Sequence, residues 1–211
     1  MDHDSIAAEI AGCRESAGLP SAGPMIQCLS MRRLRLRADV SIGSLSLDHA
    51  PNMLAWMLDP EVGANIGLTK TPSLERTRTW IESAVKGESI CPYAVFLNAV
   101  HVGNVVLDQF DQHLGSARFS VYVGSREARG AGVGLTGMYH ALKKFFLDHD
   151  VHKVWLTVHA RNTQAIRAYT ALGFQVEGVL RDGFLLNGER LAALYMGLLK
   201  EDFSKVEAEL R

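Results

Sequence analysis

Gly130, Gly132 and Gly134 stand at alternate positions directly ahead of an amphipathic run, and no other stretch of the 211 residues narrows the fold as much. Leu135, Met138, Tyr139, Leu142, Phe145 and Phe146 follow at helical spacing and share one face. A helix that must bury that face therefore begins at a glycine loop. Glycines at alternate positions let successive backbone N–H groups converge without Cβ obstruction, and the helix start adds its positive end. The arrangement suits a phosphate. An ordinary glycine-rich turn before a buried helix would carry the same letters, so the glycines alone leave both readings open.

Two glycine motifs overlap in residues 129–137. Gly132-Val133-Gly134-Leu135-Thr136-Gly137 spells the dinucleotide fingerprint GxGxxG, and Arg129-Gly130-Ala131-Gly132-Val133-Gly134 spells R-x-x-G-x-G, a loop that would grip the pyrophosphate of coenzyme A. The dinucleotide reading needs a strand immediately before the first glycine and an acidic residue about 20 positions later. Here the strand-like run 116–123 is separated from Gly132 by eight residues, and the next run ends in His159-Ala160-Arg161 with no carboxylate. The pattern upstream reads as antiparallel hairpins rather than strand–helix repeats. The dinucleotide reading fails on all three.

A chain of this length, 47% hydrophobic, can bury a full core. Its formal charge of −1 argues against a general nucleic-acid or membrane-surface role. The Arg-Leu alternation of residues 31–37 suits a strand with one solvated face better than a nucleic-acid patch. Cys13, Cys28 and Cys91 are too few and too scattered for a disulfide framework or a zinc site, and fit a reducing cytoplasm. No apolar run reaches the roughly 18 residues that a membrane span needs, and the N-terminus lacks a signal-peptide pattern. Residues 1–30 read as a loosely ordered extension, and 31–211 as a single domain.

Hydrophobic periodicity and turn signals predict a first strand at 33–39 and a helix at 47–58, with Leu47, Ala50, Leu54 and Leu58 on one face and Asp59-Pro60 at its end. A second helix spans 74–85 after Thr71-Pro72-Ser73. Strands follow at 93–97, 102–108 and 116–123, then the loop and its helix, a strand at 153–158 and a helix at 163–172 closed by Gly173. Two last strands, 174–180 and 191–199, are joined through Asn187-Gly188, a strong hairpin turn. The order is α+β, with a largely antiparallel sheet and a central loop–helix–strand unit.

The run Asn162-Thr163-Gln164-Ala165-Ile166-Arg167-Ala168-Tyr169-Thr170-Ala171-Leu172-Gly173-Phe174, taken with the glycine loop, resembles the GCN5-related N-acetyltransferase (GNAT) family. It matches N-x-x-A-x-x-x-Y-x-x-x-G-F at every key position. The resemblance covers about 31–200. Trp56-Met57-Leu58-Asp59-Pro60-Glu61-Val62 and Leu186-Asn187-Gly188-Glu189-Arg190 before Tyr195-Met196 resemble the RimJ/RimL-like branch, which acts on protein N-termini, polyamines and nucleotide-linked amino sugars. The resemblance implies a GNAT-type fold, a central mostly antiparallel mixed sheet splayed at the acetyl-CoA slot and flanked by helices. It implies acetyl-CoA as cosubstrate and a primary amine as partner, and it allows a homodimer. Arg129, Gly130, Ala131, Gly132, Val133 and Gly134 would present N–H groups to the pyrophosphate. Tyr122 and Val123 would hold the pantetheine arm and acetyl carbonyl through their backbone, Asn162 would bond the cofactor arm, and Tyr169 would sit near its sulfur as proton donor.

The implied reaction is direct attack of a neutral amine on the thioester. Thr157 stands where RimI-type enzymes carry a glutamate, which leaves the base unassigned. His159 shares Thr157's strand face by alternation and is the candidate proton relay, against the plainer reading of a polar strand end. An α-amine or amino-sugar amine is easier to deprotonate at neutral pH than a polyamine amine and suits a site without a carboxylate base. Cys91 has no nucleophile motif. The rival function is a non-catalytic acyl-CoA-binding module, which would keep the loop but need no Tyr169.

Overall fold

The computed structural model describes residues 34–68 and 70–210. The expected 1–30 extension, with Cys13 and Cys28, lies outside the described residues. Arg35–Trp155 and Leu156–Arg211 form two compact units, and the boundary falls inside one strand.

The unit Arg35–Trp155 holds strands β1 (Val40–Ser44), β2 (Cys91–Leu97), β3 (Val100–Asp111) and β4 (Ser116–Val123), and the opening residues of β5 (Lys153–His159). Its helices are α1 (Ala50–Met57), α2 (Pro60–Asn65), α3 (Leu74–Lys86) and α4 (Val133–Asp148). Strands β1 to β4 pair antiparallel with their sequence neighbours, whereas β4 pairs parallel with β5. The sheet is mixed and mostly antiparallel, as expected. The parallel ladder comprises Ser116↔Lys153, Ala117↔Val154 and Arg118↔Trp155. Beyond it, residues 120–123 of β4 have a ladder, among the described residues, on their β3 side only.

Strand alternation assigns the two faces of this sheet. Val95, Gly103 and Val123 are cross-strand partners on one face. There α4 packs, close enough that a Cβ on Gly137 would lie 2.8 Å from the Val95 side chain and one on Gly134 3.1 Å from that of Val123. Ala94, Asn104 and Tyr122 are partners one residue away, on the opposite face. Ala94 joins Leu45, Ala50, Met53 and Ile81 in a core against which Trp56, Met57, Trp80 and Phe96 pack. Helices α1 and α3 thus cover one face and α4 the other. Met138, Tyr139, Leu142, Phe145 and Phe146 of α4 are buried, the stripe read from spacing, with Leu135 half-buried.

The first strand differs from expectation. Residues 34–37 are irregular, a turn follows at Ala38-Asp39, and β1 begins only at Val40. The Arg-Leu alternation mimics a strand, but the Arg37 N–H donates to Thr136 Oγ1 of α4 at 3.2 Å rather than to a neighbouring strand. The 47–58 segment opens as a 3-10 turn, Leu47–His49, before α1. Its buried residues are Ala50 and Met53, whereas Leu47 and Leu58 are exposed, so the buried stripe is rotated from the one read by spacing. Asp59 ends this stretch by capping α2, its carboxylate accepting from the Glu61 N–H at 3.0 Å. Helix α3 starts as read, with Ser73 Oγ accepting from Arg76.

The unit Leu156–Arg211 holds the remainder of β5, α5 (Thr163–Ala171), β6 (Gln175–Leu186), β7 (Glu189–Leu199) and α6 (Lys200–Glu209). Strand β7 runs between β5 and β6. Asn187 (φ 50°) and Gly188 (φ 85°) make the hairpin turn with two positive φ angles, the geometry that Asn-Gly favours. Leu172, Phe174, Leu194, Met196, Leu198 and Phe203 are buried in its core. Helix α6 has no counterpart in the sequence reading. Only Phe203 of it is buried, too little apolar signal for periodicity to register. No helix among the described residues is long and apolar enough to cross a membrane.

Candidate active site

Gly130 and Gly132 carry φ of 74° and 78°, left-handed conformations that Cβ-bearing residues seldom adopt, and Gly132 caps α4. The first bond of this helix is Thr136 N–H to the Gly132 carbonyl at 3.1 Å. The N–H groups of Val133, Gly134 and Leu135 precede it and have no partner within the helix. They converge at a 16-residue helix start, which suits a phosphate. Thr136 Oγ1 also donates to the Gly132 carbonyl at 3.0 Å, fixing the turn. The loop is tied to the chain before β1 by Arg37, whose guanidinium donates to the Ala131 carbonyl at 2.9 Å and pairs with Asp39 at 2.7 Å.

Arg129, the first residue of the motif, directs its side chain away from the loop amides. It donates to the carbonyls of Val123 at 3.1 Å and Gly124 at 3.0 Å, and pairs with Glu61 at 2.9 Å. Arg126 donates to Asp59 at 3.1 Å. That hydrogen bond, with the Glu61 N–H, holds the Asp59 carboxyl below the usual carboxylate range. Arg129 thus fastens the end of β4 to the loop entry, and Asp59 and Glu61 fasten both to α2. Tyr122, Val123, Arg129 and the glycines therefore stand together at one strand end.

A polar cluster that motif reading missed lies at this same strand end, on the α1 face. His101 and Asn104 of β3 are buried, with the His101 Nε2 at 3.0 Å from Asn104 Oδ1. Asn104 Nδ2 in turn donates to the Tyr122 hydroxyl at 2.9 Å. The rings of His49 and Trp56 lie 4.3 Å and 4.8 Å from that of His101, and Trp56 meets Tyr122 edge-on at 6.2 Å. Burial pushes His49 and His101 below the ordinary histidine pKa, so both are uncharged near neutrality. Burial pushes Tyr122 up to about 12, against the bond from Asn104. The available signal was a histidine and an asparagine breaking an apolar strand, since buried polar residues need partners.

In the other unit, Asn162 caps α5, its side chain accepting from the Ala165 N–H at 3.1 Å. Tyr169 is buried on the same helix, its ring 5.7 Å from Phe174, and burial pushes its pKa up to about 12. His159 ends β5, and its carbonyl accepts from the Asn162 N–H at 2.9 Å. Thr157 is exposed but His159 is buried, with Phe184 of β6 5.0 Å from its ring. A shared strand face has not given the two a shared environment. Burial lowers the His159 pKa. Cys91 is a half-buried thiol 3.4 Å from the His149 ring, with its pKa raised by burial, the opposite of an activated nucleophile. No group of three or more metal-ligating side chains is gathered among the described residues.

Comparison with known proteins agrees with this geometry. Spermidine N(1)-acetyltransferase of Escherichia coli K12 is 31% identical over 87 residues, 41% of this chain and 46% of that protein; the chain thus matches about half the length of this curated relative. The crystal structure of spermidine N-acetyltransferase from Vibrio cholerae, in complex with CoA and spermine, has a TM-score of 0.74 at 20% identity, over 80% of this chain and 99% of that one. RimJ of Mycobacterium smegmatis, in complex with CoA-disulfide, has a TM-score of 0.71 at 17% identity, over 81% and 87%. Both share the fold. Residues 39–175, which include the glycine loop, the end of β4 and the Asn162–Tyr169 helix, match the acetyltransferase (GNAT) domain, and the chain belongs to that family.

Proposed function

We propose that this chain transfers the acetyl group of acetyl-CoA to a primary amine by direct attack, in the manner of the RimJ/RimL-like branch. The observation that carries the reading is the loop of Gly130 and Gly132, in left-handed conformation, opening α4 beside a β4 end that has a ladder on one side only. In this reading the amides of residues 130–134 receive the pyrophosphate. The open side of Tyr122 and Val123 takes the pantetheine arm by backbone bonds, and the Val123 N–H polarises the acetyl carbonyl as an oxyanion donor does. Asn162 both caps α5 and bonds the cofactor arm. Tyr169, kept protonated by burial, returns a proton to the departing thiolate, and His159 relays the amine proton through water. In this reading the enzyme works in the cytoplasm, and a homodimer is allowed.

An amine panel with free coenzyme A release followed by a thiol assay tests the activity. The rival, a binding module, would bind acetyl-CoA and release no thiol with any amine. Gly132→Asp sets a carboxylate against the pyrophosphate and strains a left-handed position. Acetyl-CoA binding should vanish in calorimetry, and an unchanged affinity would remove the loop assignment. NAD should give no binding heat.

A further inference from the structure

We propose that the acceptor carries an oxygen beside its reacting amine, and that the Tyr122 hydroxyl donates to that oxygen, aimed by Asn104 and His101. The proposal rests on the acetyl-transfer reading above and names its substrate class.

Hydrogen-bond direction is the basis. An amide oxygen can only accept, so the 3.0 Å contact to Asn104 Oδ1 places a proton on His101 Nε2. The Asn104 amide, fixed at its oxygen, must present its NH2 to the Tyr122 oxygen at 2.9 Å. Both bonds run one way, from His101 towards Tyr122. Having accepted, the phenol directs its own O–H elsewhere, and no acceptor for it is found among the described residues. Each bond polarises the next, which makes the terminal hydroxyl a better donor. The high pKa keeps that proton in place at any working pH.

The position of the phenol says what it meets. Tyr122 is half-buried, immediately before Val123, on the α1 face of the sheet and therefore opposite the α4 loop. A thioester held along the open side of β4 would be approached by its amine from this face. Asn104 meets the hydroxyl and Trp56 the ring, with His101 and His49 behind them, and these four are aromatic or amide and uncharged near neutrality. A protonated polyamine offers only N–H donors and methylenes, and so no acceptor for the Tyr122 proton. An amine next to an amide carbonyl, as at a peptide N-terminus, offers an acceptor, and so does an amino sugar with a neighbouring hydroxyl. The two share one chemistry, a primary amine with a vicinal oxygen.

The test compares kcat/KM of the full chain for alaninamide, glucosamine, propylamine and spermidine, each normalised to its neutral amine fraction. Alaninamide or glucosamine should exceed both oxygen-free amines by about tenfold or more, since a site built to bond a substrate group rejects analogues lacking it. Which of the two leads identifies the source of the oxygen. Tyr122→Phe should collapse that ratio while acetyl-CoA affinity holds. Asn104→Asp should do the same, because a carboxylate accepts from both neighbours and turns the Tyr122 proton inward. His101→Gln, whose amide donates from about the same place, should preserve the ratio, an outcome that a purely structural role would not single out. If Tyr122→Phe fails to fold, Asn104→Asp reads the same quantity. A wild-type preference for spermidine, or an unchanged ratio in both variants, overturns the proposal and leaves acetyl transfer standing. A wild type that acetylates no amine overturns both.

Discussion

Tyr169 lies on α5 with 8% of its surface exposed and its ring against Phe174. Tyr169→Phe keeps that packing and removes only the hydroxyl. A general acid contributes about a hundred- to ten-thousandfold in rate, so kcat should fall within or near that range with little change in acetyl-CoA affinity. A variant that keeps more than about half the rate would make Tyr169 a core residue. Buried histidines allow a second prediction. The folded pKa values of His101 and His159 lie below 6.5, so as pH falls the unfolded chain takes up protons first. Their neutral burial is harmless above about pH 7. Stability is then lost as pH falls through about 6.5 towards the depressed folded values. The melting temperature should drop between about pH 7.5 and about pH 5.5, and His101→Gln should flatten the drop. An identical decline in wild type and variant would remove His101 from the account. Tyr169 and Asn162 were legible because they belong to a fixed spacing along one helix. The Tyr122 phenol was not, because its partners Asn104 and His101 come from another strand, and only the antiparallel register aligns them.

At the scale of elements, the end of β4 depends on close approach. A Cβ on Gly124 would lie 1.9 Å from the Trp56 ring, so the indole would have to shift from its place beside Tyr122 and His101. Gly124→Ala should cost about 1–3 kcal/mol through overpacking, lowering the melting temperature by roughly 2–12 °C in a chain of this size. It should also weaken activity by shifting Trp56, whereas a melting curve matching wild type would mean that α1 yields freely. Helices α3, α4 and α5 were legible from caps and periodicity, since Ser73, Gly132 and Asn162 mark their starts. The first strand was misread because alternation reports that every second side chain could be buried, not that a partner strand exists. Helix α2 was missed because Asp59-Pro60 reads as an end, while it is the start of six further helical residues.

For the molecule as a whole, the unit boundary inside β5 means that 156–211 begins in mid-strand. Residues 1–30 lack a strong periodic apolar face and carry Pro20 and Pro24. A chain starting at Met31 should melt within a few degrees of the full chain. A larger loss, or loss of folded protein, would mean that the leading segment packs on the rest.

Local signals by themselves determined the glycine loop, the helix it opens, the Asn162–Tyr169 helix and the Asn187-Gly188 hairpin, and through them the family. Each depends on φ preferences, capping or side-chain spacing within about a dozen residues, and these are written into consecutive letters. Tertiary structure alone decided where β1 begins, which stripe of α1 is buried, and that the Arg129 side chain grips β4 and α2 rather than the loop. It alone assembled His101, Asn104 and Tyr122. These outcomes depend on pairing register and on which face meets which neighbour, and residues far apart in sequence carry no mark of one another until the sheet sets them side by side.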